Sequence, residues 1–246
     1  MEPIISIVIP VYNGEKTIYG LCQEIISFCQ SYQWDFEIIL VDDGSSDQSK
    51  IIMTTLSLKN PTIKSVFLTK NHGQQNAIFC GLSFAAGQYI LTMDDDGQHP
   101  VSVMAKLMER IETGYDIVYA VTDVNYDQLY RNLGSNMTDK LFTYLLKKPS
   151  DKRISSFRIM RASLVKKILN HPYIFVYISA SVVKHTHHIE NIYYEKLQRR
   201  LGQSNYTFSK QLLLFLSIIL YYAPWFFLKP FRQKGTPYHI ERKINL

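Results

Sequence analysis

Short apolar runs and helical periods alternate with few gaps from residue 4 to residue 121, and this rhythm constrains the fold more than any other property of the chain. Residues 4–10, 36–41, 64–68, 89–93 and 116–121 are brief, rich in apolar and β-branched side chains, and bounded by turn formers, which predicts five strands. Residues 17–32, 47–57, 74–86 and 101–113 place apolar side chains at helical spacing, and Gly87 closes the third of these runs. Chains that alternate in this way form an α/β domain, a Rossmann-like, mostly parallel sheet with helices on both faces. With 246 residues and 46% hydrophobic content the chain fills one such core, so no second globular domain is expected.

The chemistry gathers where the strands run out. The apolar strand at 89–93 leads directly into Asp94, Asp95 and Asp96, followed by Gly97 and Gln98. Three adjacent carboxylates repel one another and are tolerated at a strand end only if solvent or a cation neutralises them. Ligands of parallel sheets bind at the carboxyl ends of the strands, where such carboxylates meet a metal-chelated anion. A second acidic end follows the strand at 36–41, with Asp42, Asp43, Gly44, Ser45, Ser46 and Asp47. Helix capping accounts for Asp47, but a cap needs one carboxylate and not three. The pair of acidic ends points to a nucleotide-diphosphate site.

Beyond residue 121 the rhythm changes. Residues 130–146 read as a helix, 156–160 as a short strand, 162–169 as a helix, 174–188 as two strand-like stretches and 192–198 as another strand. His185 and His187 would share a strand face, but no Cys or carboxylate stands at metal-ligand spacing beside them, and they are read as structural. Gly73, Gly81 and Gly87 do not form a dinucleotide fingerprint, which makes a Rossmann dehydrogenase a poor reading. Cys22, Cys29 and Cys80 imply neither a metal site nor a disulfide framework, and the N-terminus lacks the basic and apolar regions of a signal peptide. A reducing, non-secretory setting is expected.

Net charge is +6, and the excess is wholly C-terminal: from Lys184 onward ten Lys and Arg face only Glu190, Glu195 and Glu241. Embedded in that basic region are 18 uncharged residues, 211–228, dominated by Leu, Ile, Phe, Tyr and Trp. Nucleic-acid arms lack such a segment, so no nucleic-acid partner is expected. A straight helix of that length spans roughly 27 Å, at the short limit for a bilayer, and Pro224 interrupts it. Basic residues on both flanks favour one membrane face for both ends, hence an in-plane or re-entrant helix rather than a span. The competing reading is a helix packed on protein. The expected division is a catalytic domain at 1–207 and an apolar, basic, membrane-associated segment at 208–246.

Four blocks carry a family resemblance: Pro10, Tyr12 and Asn13 with their neighbours after the first strand; Asp42, Asp43, Gly44 and Ser45 after the second; Asn71, His72 and Gly73, with Gly81, Leu82, Ala86 and Gly87; and Asp94 to Pro100. In this order and spacing they resemble the family-two inverting glycosyltransferases of GT-A fold. Arg131, Ser156, Phe157 and Arg158, the loop from Arg199 and Arg200 through Ser204 and Tyr206, and Lys229 to Arg232 resemble one branch of it, the polyprenyl-phosphate glycosyltransferases such as dolichyl-phosphate mannose synthases. The resemblance implies a nucleotide-sugar donor held by Pro10, Tyr12, Glu15, Asp42, Asp94 and Ser204, with Asp42 accepting from the base. It implies Mg2+ or Mn2+ on Asp96 and Gln98, with Asp94 sharing the metal or the ribose, while Asp95 points away from both neighbours. Arg131, Arg199 and Arg200 would stabilise the reacting phosphates alongside Asp96, and Arg131 and Arg158 would bind the acceptor phosphate.

The function expected is transfer of a hexose to a polyprenyl phosphate, undecaprenyl or dolichyl, by a peripheral or monotopic enzyme at the cytoplasmic face of the plasma membrane. The alternatives are transfer to a hydroxyl of a lipid-linked cell-surface glycan, which would need a carboxylate base, and a non-catalytic subunit of a membrane complex. Self-association into a homo-oligomer is left open.

Overall fold

The computed structural model describes residues 4–122, 143–195 and 208–246. Eight strands form one sheet: β1 (Ile5–Val11), β2 (Phe36–Asp42), β3 (Ile63–Leu68), β4 (Tyr89–Thr92), β5 (Ile117–Thr122), β6 (Arg158–Arg161), β7 (Ile189–Tyr194) and β8 (Ile240–Ile244), in the order β7-β5-β6-β4-β1-β2-β3-β8. β1 lies parallel to β2 and β4, β2 to β3, and β5 to β7; β6 runs antiparallel to β4 and β5, and β8 antiparallel to β3. The mostly parallel α/β sheet expected from the alternation is therefore present.

Strand parity divides the core in two. Ile5, Ile7, Ile9 and Val11 of β1 point to one face, where α1 (Ile18–Ser31), α2 (Ser49–Lys59) and α4 (Val103–Glu112) bury residues such as Cys22, Met53 and Leu107. Val8, Ile39 and Val41 point to the other, covered by α3 (Gln74–Leu82), α5 (Ala162–Leu169), α6 (Ile178–His185) and α7 (Phe208–Tyr222). All three cysteines are free and buried, and burial pushes each thiol up to about 12, so they act as small apolar residues.

Three expectations change. Residues 174–188 do not form two strands: Ile178–His185 is the helix α6, whose Ile178, Val182 and Val183 are fully buried. Its β-branched residues suggested a strand, but burial against α5, α7 and the sheet outweighs a local propensity of a few tenths of a kcal/mol per residue. α3 stops at Leu82, because Glu37 Oε1 accepts the Ala86 N–H at 2.7 Å and Ser6 Oγ the Gly87 N–H at 2.8 Å, drawing that stretch onto the sheet. β7 starts at Ile189 rather than 192.

The C-terminal segment is built into the domain. Helix α7 ends at Tyr222, just before Pro224; Ile218, Tyr221 and Tyr222 are buried, and the Tyr222 hydroxyl binds the Tyr177 amide at 2.9 Å and Ser181 Oγ at 3.0 Å. A 3-10 helix, Phe226–Phe231, follows, and then β8 covers the edge of β3. Part of the basic excess is used here: the Arg242 guanidinium lies 4.5 Å from the Phe67 ring centroid. Among the described residues no helix is long and apolar enough to cross a membrane.

Candidate active site

The parallel register brings the acidic ends together. Val11 pairs with Asp42, and Val8 with Thr92, so continuing the second pairing sets Asp94 level with Pro10 at the carboxyl edge. A cleft of about 390 Å³ opens there, lined by Pro10, Val11 and Tyr12 after β1, by Asp43, by Asn71, Gly73 and Gln74 ahead of α3, and by Asp94, Asp95 and Asp96. The loop after β1 is laced to the loop after β2: Ser45 Oγ accepts the Asn13 N–H and Ser49 Oγ the Gly14 N–H, each at 2.9 Å. Gly44, at φ 73°, packs so closely on the next loop that a Cβ would lie 2.5 Å from the Lys70 carbonyl carbon.

Two residues expected to hold the donor are not among those that line the cleft. Asp42 is fully buried and accepts the Gly44 N–H at 3.2 Å and the Ser45 N–H at 3.2 Å, contacts that shape the turn after β2. Its neighbour Asp43 lines the cleft and accepts the His72 and Gly73 amides at 2.7 and 2.8 Å; burial pushes its carboxyl up to about 6 against those amides. Glu15 does not line the cleft: its carboxylate accepts the Gln48 N–H at 3.0 Å, while Asp47 accepts the Glu15 N–H at 3.1 Å and the Ser49 N–H at 3.0 Å. Asp47 thus belongs to the turn that leads into α2, whose cap position is Gln48.

The acidic run divides as the extended backbone requires. Asp94 accepts Gln74 Nε2 at 2.5 Å, Ser156 Oγ at 2.9 Å and His99 Nε2 at 3.2 Å. Since a carboxylate only accepts, Nε2 carries the His99 proton, and in the neutral ring Nδ1 accepts the Tyr194 hydroxyl at 2.8 Å. Asp95 turns toward the loop after β1, where a Cβ on Gly14 would stand 2.5 Å from Asp95 Oδ2. Burial, then the charges of Asp94 and Asp96, push its carboxyl up to about 7. Asp96 Oδ1 accepts the Gln98 N–H at 3.1 Å, and the Gln98 side chain does not line the cleft. Gln74, Asp43, His99 and Tyr194 carried no expected role. Asp43 was findable, since it shares strand parity with Ile39 and Val41 on the α3 side, and His99 lies only five positions after Asp94; Gln74 and Tyr194 are joined to the site only by tertiary contacts.

Across Asp94 lies a second, polar pocket of about 150 Å³, lined by residues that include His99, Thr122, Arg153, Ser155 and Tyr194. The expected cations are not seen there. Arg131, Arg199, Arg200 and Ser204 lie outside the described residues. Arg158 is 1% exposed, on β6 opposite Tyr119 of β5, and donates to Ser179 Oγ at 3.0 Å, so it is enclosed in the core rather than open to an acceptor phosphate.

Residues 6–170 match the family profile described as "Glycosyl transferase family 2". The chain belongs to this family. As a family-two glycosyltransferase it carries its acidic run at the carboxyl edge of the GT-A sheet. Mannosyl-3-phosphoglycerate synthase from Rubrobacter xylanophilus superposes with a TM-score of 0.67 at 16% identity, over 89% of this chain and 74% of that one. Glucosyl-3-phosphoglycerate synthase from Mycobacterium tuberculosis, in complex with Mn2+, UDP-glucose and phosphoglyceric acid, gives a TM-score of 0.64 at 16% identity, over 89% and 78% of the two chains. At that identity the likeness speaks for the fold.

Proposed function

We propose that this glycosyltransferase moves a hexose, with inversion, from a nucleotide-diphosphosugar to a polyprenyl phosphate at the cytoplasmic membrane face. The donor's diphosphate would lie in the cleft between Pro10, Tyr12 and the acidic run. Asp96 and Asp94 would hold Mg2+ or Mn2+. Among the described residues no three His, Cys, Asp or Glu side chains form a complete metal cage, which fits an ion that takes its remaining ligands from phosphate oxygens. When bound, the cation supplies positive charge to the diphosphate as it leaves C1. Gln74 and the His99–Tyr194 pair hold Asp94 in place for that contact.

The observation that carries the acceptor assignment is the makeup of the second pocket. Asp94 is the sole carboxylate among the described residues that line it, and it is assigned above to the metal. A sugar hydroxyl needs a base to take its proton, whereas a phosphate monoester is already a nucleophile at neutral pH. Membrane contact is supported by the outer face of α7 and the 3-10 helix, where Leu213 (67%), Leu216 (53%), Phe227 (56%) and Phe231 (69%) are exposed beside exposed Lys229 and Lys234. A second reading, a soluble phosphorylated acceptor, is favoured by the phosphoglyceric acid in the Mycobacterium tuberculosis complex.

Incubating the full chain with UDP-, GDP- and dTDP-sugars, Mg2+ or Mn2+, and in parallel undecaprenyl phosphate, phosphoglyceric acid or a lipid-linked glycan separates these readings. A sugar-phosphate-lipid product is expected. Product on phosphoglyceric acid or on a glycan hydroxyl alone overturns the lipid assignment.

A further inference from the structure

Arg153 is an exposed arginine placed with unusual care. Its backbone is clamped to Asn191 of β7 from both sides: the Arg153 N–H donates to Asn191 Oδ1 at 2.7 Å, and Asn191 Nδ2 donates to the Arg153 carbonyl at 2.8 Å. Its guanidinium donates through one amino group to the Thr122 carbonyl, at the carboxyl end of β5, at 3.0 Å. The nearby acids are taken by other cations: Glu190 by Lys152 at 2.6 Å and Arg110 at 2.8 Å, and Asp151 by Lys152 at 3.5 Å. Among the described residues no carboxylate pairs with Arg153, so most of its five N–H donors are left for a ligand. It lines the 150 Å³ pocket together with Ser155, whose Oγ accepts the Phe157 amide at 3.2 Å and keeps its O–H to donate.

We propose that Arg153 and Ser155 form the anion-binding subsite for the acceptor's phosphate. The inference rests on the reading of an anionic acceptor given above. Asp94 lines both the donor cleft and this pocket, so an anion held on Arg153 would sit in the space that adjoins the donor cleft at Asp94. In the inverting displacement an acceptor phosphate oxygen bonds to C1 while the bond from C1 to the β-phosphate oxygen breaks, and its electron pair departs with the nucleoside diphosphate. No proton has to move. A guanidinium fork suits the two free phosphate oxygens and offsets their repulsion from Asp94.

The test compares the full-length wild type with Arg153→Gln, Arg153→Lys and Asn191→Ala. Inorganic phosphate is titrated into each protein in the presence of UDP and Mn2+, with UDP affinity and melting temperature as controls. Arg153→Gln should weaken phosphate binding by about tenfold or more with UDP affinity unchanged, Arg153→Lys should recover part, and Asn191→Ala should fall between, since it loosens the clamp and keeps the charge. With undecaprenyl phosphate as acceptor the same order should appear in acceptor KM and not in donor KM. Equal phosphate affinity in Arg153→Gln and wild type, or no phosphate binding by wild type, overturns the subsite. Phosphate binding through Arg153 without any lipid-linked product overturns the lipid reading alone.

Discussion

Gln74, His99 and Ser156 reach Asp94 from three separate stretches of the chain, and this fixes the direction of the first carboxylate in the acidic run. Tyr194 acts one step further out. Its hydroxyl holds His99 Nδ1, and burial with the charges of Asp94 and Asp96 raises its phenol above the ordinary value, so it stays a donor at any working pH. Tyr194→Phe should therefore lower kcat by about tenfold, in the range seen when outer partners of a charged site are removed, with melting temperature nearly unchanged. Steady-state kinetics beside a thermal melt check this; an unaltered kcat would mean that Asp94 needs no such support. At this scale the sequence identified the acidic run, which lines the cleft at the carboxyl edge of the sheet. Of the two adjacent aspartates Asp42 and Asp43, it is Asp43 that lines the cleft, as the parity of β2 indicates when followed to its end, and Tyr194 was passed over because the His99 ring it contacts lies 95 positions away.

Between elements, Glu190 on β7 ties the edge of the sheet to its surroundings: Lys152 Nζ approaches at 2.6 Å, and Arg110 of α4 at 2.8 Å. Partial burial would raise its carboxyl, but Lys152, the Asn191 amide and Arg110 outweigh that and hold it down to about 2, from an ordinary 4.5. A depressed carboxylate stabilises the fold above its unfolded pKa and loses that contribution as pH falls from about 4.5 toward about 2. Glu190→Gln should cost about 1 kcal/mol at neutral pH, after allowance for solvent around Arg110, and the penalty should shrink across that acid window. Urea melts of both proteins at several pH values measure it, and a penalty that does not change with pH would contradict the account. The nine elements expected before residue 122 are all found, since each carries its own period and boundary. Beyond it local pattern misled: Ile178, Val182 and Val183 read as strand when their surroundings are hidden, and only packing against α5 and α7 makes them helical.

For the whole molecule, the C-terminal segment at 208–246 joins two tasks. Its inner side completes the core through Ile218, Tyr221 and Tyr222 and covers β3 with β8, while its outer side presents Leu213, Leu216, Phe227 and Phe231. Hydropathy alone could not apportion these, because both uses call for the same apolar residues. Leu213→Glu with Leu216→Glu should reduce co-sedimentation with anionic lipid vesicles by about tenfold and leave melting unchanged, whereas equal sedimentation would point to a protein partner for that face. The central claim, that the carboxyl ends of β1, β2 and β4 form a metal-assisted nucleotide-sugar site, is tested most directly by titrating UDP into wild type and Asp96→Ala with and without Mn2+. The account predicts that Mn2+ tightens UDP binding to wild type by about two orders of magnitude and that Asp96→Ala, still folded, loses this gain. UDP affinity that is the same with and without Mn2+ in wild type, or a full Mn2+ effect in Asp96→Ala, would contradict it.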